Sequence, residues 1–444
     1  MENGDNFNAQ RAKGDEGQRY VDSLFDRVFT PIFCYSKPLD LLDKNQPEIC
    51  DKLICWEDTV IICEVKNWKF DGDHEKYHKK TVERAITQIQ GAERKLLLSE
   101  RDVEIGHPYR GRHRFPKENF SKVIRLAINL GEGEEFYPLV GETSRNGFVS
   151  VINKDTLEVM LHELDTPKDL LQYLHERERL LQVTNVDGKR NFLLSGREAD
   201  LLSLYLKNGR EFPVSLYDES MIIVALDLDG SWEKFQSLPE VHGRKIANDA
   251  SYFVDELIHN EILPMEGSEP IARFLLSFNR LERRAIGMAF EKAIREFSLT
   301  AVPGFTFRRE LPFGDQTLIC LLYHSSASSE IREELVRLAL YRTAIERDYN
   351  MHEILVIGTH EATEETVSSY QFHFAYDPKI ERLEPDLEVQ IRESCEILGW
   401  FTKTKSQEVR FHEYPMPPSK NHSLLRRTKE ILSSIWKKIQ FTFF

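Results

Sequence analysis

Pro47-Glu48-Ile49-Cys50-Asp51-Lys52-Leu53-Ile54-Cys55, then Trp56-Glu57-Asp58-Thr59, then Val60-Ile61-Ile62-Cys63-Glu64-Val65-Lys66-Asn67-Trp68 form the unbroken stretch that decides how the chain is read. Two apolar runs flank a short polar turn, the pattern of a β-hairpin. Charges interrupt the runs where a buried strand normally carries Val or Ile. Strand side chains alternate, so Glu64 and Lys66 point to one face and Val65 to the other. A carboxylate and an ammonium at the end of a buried strand are costly unless they pair or bind something. Asp51 on the neighbouring strand adds a second carboxylate. Two carboxylates and a main-chain carbonyl make a hard-oxygen set of the kind Mg²⁺ prefers. A lysine beside such an ion can orient or polarise a water. The plain alternative is a buried Glu64–Lys66 ion pair and a hairpin Asp that caps a turn. Such pairs are poor stabilisers, so they need another reason to exist.

The segment resembles the core of the PD-(D/E)XK phosphodiesterase superfamily, the restriction-endonuclease-like nucleases, and within it the Mrr-like and Holliday-junction-resolvase-like branch. That family carries an Asp on a hairpin, then Glu or Asp, any residue, and Lys; here these are Asp51, Glu64 and Lys66. It places a Glu on the preceding helix, and Glu16 in Gly14-Asp15-Glu16-Gly17-Gln18-Arg19-Tyr20 is the match. The branch often carries a Gln on the following helix; Thr81 to Leu98 reads as that helix, and Gln88 is the best match. One departure is Cys50, where the family name has Pro. The resemblance covers roughly the first 180 residues, a domain-sized stretch. It implies a metal, Mg²⁺ with Mn²⁺ as substitute, held by Asp51, Glu64 and the Val65 carbonyl. It implies that Lys66 positions the attacking water and balances phosphorane charge, that Glu16 acts on the metal directly or through a bound water, and that Gln88 orients Lys66 or a phosphate.

The chain has 444 residues, enough for two or three domains. With 41% hydrophobic and 30% charged residues it has an ordinary globular composition. No apolar run approaches the ~20 residues that span a bilayer, so no membrane association is expected. The start, Met-Glu-Asn-Gly-Asp-Asn-Phe-Asn, is polar and acidic and does not read as a signal peptide. Six cysteines do not make a disulfide framework, and no Cys-x-x-Cys pair suggests structural zinc. The expected compartment is a reducing cytoplasm.

A net charge of −14 argues against a protein coated in positive potential, since unspecific nucleic-acid binders are usually basic. A nuclease of this charge must collect its basic residues locally. One candidate is His107 to Lys117, with Arg110, Arg112, Arg114 and Lys117, ending near Lys122 and Arg125. Its Tyr109 and Phe115 are suited to stacking on bases. Another is the tail, with Lys420, Arg426, Arg427, Lys429, Lys437 and Lys438. The alternatives are a solvated loop and an amphipathic terminal helix.

The expected fold is α/β: a restriction-endonuclease-like mixed sheet flanked by helices, plus a second α/β or mostly helical domain. The turn-rich Thr184-Asn-Val-Asp-Gly-Lys-Arg190 reads as the domain boundary. This divides the chain into a nuclease domain, 1–183, a helical linker or sensor region, 191–278, and a C-terminal α/β domain with a basic terminal helix, 279–444. Residues from Arg280 on repeat the order helix, hairpin, helix, strand. There the strand reads Cys320-Leu321-Leu322-Tyr323-His324, without a carboxylate–lysine pair. A degenerate nuclease-like repeat and an unrelated α/β domain both fit.

Other motifs point nowhere. His74 and His78 have metal-ligand spacing on a helix but no third ligand, and read as a solvated loop. His162-Glu163 lacks a second His, and no phosphate loop or Gly-x-Ser-x-Gly elbow is present. The expected protein is a metal-dependent endonuclease acting on nucleic acid, DNA favoured. Enzymes of the build it resembles serve in restriction, repair or phage defence, among which fold resemblance does not choose; restriction or anti-phage defence is the expected setting, with homo-oligomers or a defence-system protein as partners. The competing reading is a silent module of the same fold that only binds nucleic acid or a partner.

Overall fold

The computed structural model describes residues 2–131, 140–144, 147–185, 191–217, 223–298, 306–324, 326–350, 353–360, 371–379, 381–400 and 412–417, the backbone alone at 2–14, 140–144, 182–185, 191–193, 223–224, 298, 307 and 371. The basic tail beyond Lys420 lies outside the described residues. The molecule is a mixed α/β protein whose chain divides into two compact units, Met1–Leu238 and Pro239–Phe444.

The N-terminal unit runs α1 (Glu2–Phe29), β1 (Cys34–Ser36), β2 (Lys52–Trp56), β3 (Thr59–Lys66), α2 (His74–His78), α3 (Arg84–Glu93), β4 (Glu104–His107), β5 (Gly111–Arg114), β6 (Lys122–Asn129), β7 (Val140–Ser144), β8 (Gly147–Asn153), α4 (Lys154–Glu163), α5 (Pro167–Asn185), β9 (Asn191–Ser195), α6 (Glu198–Lys207), β10 (Ile223–Asp227) and α7 (Ser231–Gln236). Six strands form one sheet in the order β1-β2-β3-β6-β8-β7. The β2–β3 hairpin is antiparallel and turns through two residues, Glu57 and Asp58, with Glu57 at φ 48°. β3 then pairs parallel with β6 after the helical crossover. Helices cover both faces of β3, which is why Val60 to Cys63 is a continuous apolar run rather than an alternation. Val60 and Ile62 pack under Val82, Ala85 and Ile89 of the crossover. The opposite face of the hairpin meets α1.

The first boundary expected from the sequence needs correction. α5 runs to Asn185, into the start of the expected break, and residues 191–238 belong to the N-terminal unit. The reason is a buried ion pair. Arg177 of α5 is fully buried and donates to Glu198 of α6 from the Nε and Nη2 edge of its guanidinium, at 2.8 and 3.0 Å, while Nη1 reaches Ser150 Oγ of β8 at 2.9 Å. Tyr173, Tyr205 and Phe212 add an aromatic cluster across the same junction. The region expected to be helical also contains the parallel pair β9 and β10.

The C-terminal unit contains α8 (Pro239–Asn248), α9 (Tyr252–Leu257), α10 (Glu269–Leu276), α11 (Arg280–Ser298), β11 (Thr306–Phe313), β12 (Gln316–Tyr323), α12 (Ser329–Glu346), β13 (Glu353–His360), β14 (Gln371–Asp377) and α13 (Pro385–Ile397). Its sheet has the order β11-β12-β13-β14. Here too an antiparallel hairpin turns through two residues, Gly314 and Asp315, with Gly314 at φ 57°. Here too the second hairpin strand pairs parallel with the strand after a crossover helix. The local topology expected from the sequence is therefore present twice. The units diverge at the next strand: β8 joins β6 parallel, whereas β14 joins β13 antiparallel.

Candidate active site

The hairpin register brings the sequence-predicted charges together. Lys52 pairs with Cys63, so Asp51 stands opposite Glu64 at the open end of β2 and β3. Glu64 and Lys66 share the face of Val60 and Ile62, under the start of the crossover helix. The Asp51 carboxylate accepts a hydrogen bond from Val65 N at 2.7 Å, which holds the hairpin end closed. Lys66 Nζ lies 2.9 Å from Glu64 Oε2, 3.9 Å from Asp51 Oδ2 and 3.4 Å from the Val65 carbonyl. The ammonium thus faces the same three oxygen-bearing groups that the sequence nominates as metal ligands.

Glu64 is 3% exposed. Burial and the neighbouring Asp51 push its carboxyl up to about 7, although Lys66 pulls the other way. Glu48, exposed at the mouth of the site, is hydrogen-bonded to Asp51 and is also raised, by desolvation and by the Asp51 charge. Three carboxyl groups thus crowd one strand end, with Lys66 among them and Lys37 near Glu48. Among the described residues no three His, Cys, Asp or Glu side chains form a metal-holding group. The available set is two carboxylates and a main-chain carbonyl. Hard carboxylate and carbonyl oxygens of this kind fit a divalent cation such as Mg²⁺.

Two expected contributors lie elsewhere. Glu16 is on the exposed side of α1, and Gln18 takes the inward position. Gln18 Nε2 donates to the Asp51 carbonyl at 2.9 Å and to Asp22 Oδ1 at 3.1 Å. Gln88 is exposed on α3, whose buried positions are Ala85, Ile89, Ala92 and Glu93. The crossover helix runs back down the sheet, so its residue near the site is Tyr77, about three turns before Gln88. Tyr77 is hydrogen-bonded to the buried Asn129, which pairs in register with Lys66.

A polar network beneath the hairpin was not anticipated. Lys52 is fully buried and binds Asp22 at 3.0 Å and Asp26 at 2.9 Å. Gln18, Asp22 and Asp26 follow at intervals of four, one line along a helix face. That spacing was the available signal, hidden by the expectation that polar helical positions face water.

The basic segment His107–Lys117 is the β4–β5 hairpin rather than a loop. Its cations have internal partners. Arg112 pairs with Glu104, Arg114 with Asp102 at 3.0 Å, and Lys117 donates to the Ser99 carbonyl at 2.8 Å. Arg110 bonds the Tyr35 hydroxyl at 3.2 Å and lies over Phe33. Tyr35 pairs with Leu53, so this tip sits two residues or more along the strand from Asp51, ~7 Å at strand rise. Lys122 pairs with Asp58, and Arg125 is buried against Glu93. Phe115 is buried and packs on Phe120, whereas Tyr109 is exposed. His74 and His78 form the helix α2, capped by Asp73.

Among the described residues no helix is long and apolar enough to cross a membrane. The chain matches no protein-family model, no curated protein and no solved structure.

Proposed function

We propose that the N-terminal unit is a metal-dependent phosphodiesterase that cleaves nucleic acid, DNA in preference, through Asp51, Glu64 and Lys66. The observation that carries this reading is the convergence of Lys66 Nζ on Glu64 at 2.9 Å and on Asp51 at 3.9 Å at one strand end. The antiparallel hairpin followed by a helical crossover to a parallel strand supports the restriction-endonuclease-like reading of the fold.

Asp51, Glu64 and the Val65 carbonyl would hold the cation. When bound, it would lower the pKa of a water and neutralise phosphate oxygens. Asp51 is oriented by Val65 N and its backbone by Gln18, so the ligand oxygens need little rearrangement. Lys66 then moves from countering Glu64 to countering charge that develops on the phosphorus centre, an interaction strongest in the transition state. Glu64, with its carboxyl near 7, holds or releases a proton around neutral pH unless a cation fixes it ionised.

The test is digestion of plasmid, linear and single-stranded DNA and of RNA with Mg²⁺, Mn²⁺ or EDTA. Cleavage with either metal and none in EDTA is expected. Asp51→Ala and Glu64→Ala should each lose roughly 10³-fold or more, the scale of removing a group that acts at the reacting centre. Wild-type rates in either variant would sink the assignment. Binding without cleavage in any arm would favour the silent-module alternative.

A further inference from the structure

We infer that Trp68, with Lys80 beside it, is a stacking platform for an unpaired base of the substrate, so that the site takes single-stranded or locally unpaired DNA in preference to continuous duplex. This deepens the phosphodiesterase reading of Asp51, Glu64 and Lys66 and rests on it. β3 ends at Lys66, and the chain continues Asn67-Trp68-Lys69-Phe70. Two residues of chain reach at most ~7 Å, so Trp68 stands close beside Lys66. The two aromatic residues part company here. Phe70 is half-buried and packs on His74 at 4.7 Å and edge-on against Tyr77 at 5.5 Å. Trp68 is 38% exposed, and Lys80 Nζ of the crossover lies 4.7 Å from its ring centroid.

A single exposed aromatic residue is ordinary. Three observations set Trp68 apart. Its backbone is clamped. Trp68 N donates to the buried Asn129 Oδ1 at 3.3 Å, Gly131 N donates to the same oxygen at 3.2 Å, and Leu130 N donates to the Lys66 carbonyl at 2.7 Å. A Cβ on Gly131 would lie 1.7 Å from the Trp68 carbonyl oxygen, so only glycine lets the two segments meet this closely. The ring therefore stands on a fixed support, which spares ordering entropy when a partner stacks on it. The cations around it are also available. Lys69, Lys79 and Lys80 form no ion pair among the described residues, in contrast to Arg112 and Arg114 of the β4–β5 hairpin. Of the neighbouring acids, Asp71 is paired with Lys76 at 2.5 Å, Asp73 caps α2 and Glu83 lies 3.3 Å from His78, while Glu75 stands in solvent. An aromatic face with unpaired lysines around it is the composition of a single-strand contact, stacking on bases and neutralising phosphates. Finally, the platform adjoins Lys66, so a base held on it would set its own phosphate near the carboxylates. Within a continuous duplex both faces of a base are covered by its neighbours. A ring can take one of them only where the strand is single, gapped or has a nucleotide turned out.

The test titrates the full chain in EDTA, where metal-dependent cleavage stops, with a single-stranded oligonucleotide, a gapped duplex and a continuous duplex of one sequence. Tighter binding of the single strand and the gap, with quenching of tryptophan emission, is expected. Trp68→Ala should weaken single-strand binding roughly tenfold or more and erase the preference over duplex. Trp68→Phe keeps an aromatic face, so it should retain most of the affinity and lose the quenching. Lys80→Gln should lower the salt slope by about one unit. Unchanged melting temperatures verify that the variants fold. Wild-type preference in Trp68→Ala, or quenching that survives in Trp68→Phe, overturns the platform. Parallel digestions with Mg²⁺ keep the two readings apart. Cleavage whose substrate preference Trp68→Ala leaves unaltered overturns the platform alone. Stacking and quenching without cleavage of any substrate overturn the phosphodiesterase reading and leave Trp68 as a binding surface.

Discussion

The two strand ends of this molecule occupy the same place in the same local topology and carry different side chains. In the N-terminal unit the second hairpin strand ends in Glu64-Val65-Lys66, with Asp51 beside it; in the C-terminal unit the corresponding strand ends in Leu321-Leu322-Tyr323. Both hairpins turn through two residues with positive φ at the first, Glu57 and Gly314. In both, the carbonyl of the second turn residue, Asp58 or Asp315, accepts from the first residue of the parallel strand, Lys122 or Glu353. The backbone solution is shared, while the chemistry at its open end is set by two or three side chains. Carboxylates at one end suit a cation. At the other, Tyr323 packs into the apolar core under α12.

The sharpest way to break this comparison is to separate the units. Segment 1–238 should retain all metal-dependent cleavage and segment 239–444 none. Segment 1–183 should fail to fold stably, because it leaves Arg177 buried without Glu198, a loss of about 3–5 kcal/mol. Limited proteolysis, circular dichroism and the cleavage assay read all three. Cleavage by the C-terminal segment would end the division of labour.

The two lysines of the hairpin sharpen it next. Lys52→Met removes the partner of Asp22 and Asp26 and should cost about 3–5 kcal/mol in urea unfolding. Lys66→Ala should change stability far less, yet reduce turnover roughly 10²-fold or more while preserving nucleic-acid binding. The reverse pattern would mean that the roles of the two faces are exchanged.

pH gives a smaller effect of definite sign. The Glu64 carboxyl rises from an ordinary value near 4.5 to about 7 in the fold. Between these values the native chain holds a proton that the unfolded chain has released. Without metal, stability therefore falls as pH rises through this window, and the penalty is complete above about 7. Glu64→Gln should match wild type at pH 4 and exceed it at pH 8 in EDTA, by up to about 3 kcal/mol. Denaturant titrations at the two pH values decide it; an equal difference at both would remove Glu64 as the group responsible.

The basic hairpin carries the smallest expectation. Because Arg112 and Arg114 already pair with Glu104 and Asp102, replacing Arg110, Arg112 and Arg114 by Ala should lower the salt slope of nucleic-acid binding by fewer than three units, where free contacts would each contribute about one. An unchanged slope returns the hairpin to a solvated surface role.

Much of the fold was legible because periodicity is local. The β2–β3 hairpin, α4 and α10 and the repeated order after Arg280 follow from apolar spacing alone. The facing of Glu64 and Lys66 follows from strand alternation. The partners of buried charges were not legible. Gln18 rather than Glu16 reaches Asp51, because only the docking of α1 on the sheet decides which side of that helix is inward. Gln88 is turned away, because the crossover helix buries Ala85 and Ile89 instead. The chain continues past Asn185 into the same unit, because Arg177 needs a carboxylate that lies twenty-one residues ahead.

By itself, then, the sequence determined the α/β class, the hairpin and the identity of the charges at its end. These depend on neighbours along the chain. Only the tertiary structure decided which charges meet and where the N-terminal unit stops. Those outcomes turn on long-range register and helix docking, in which residues far apart in sequence must satisfy one another's buried polar groups.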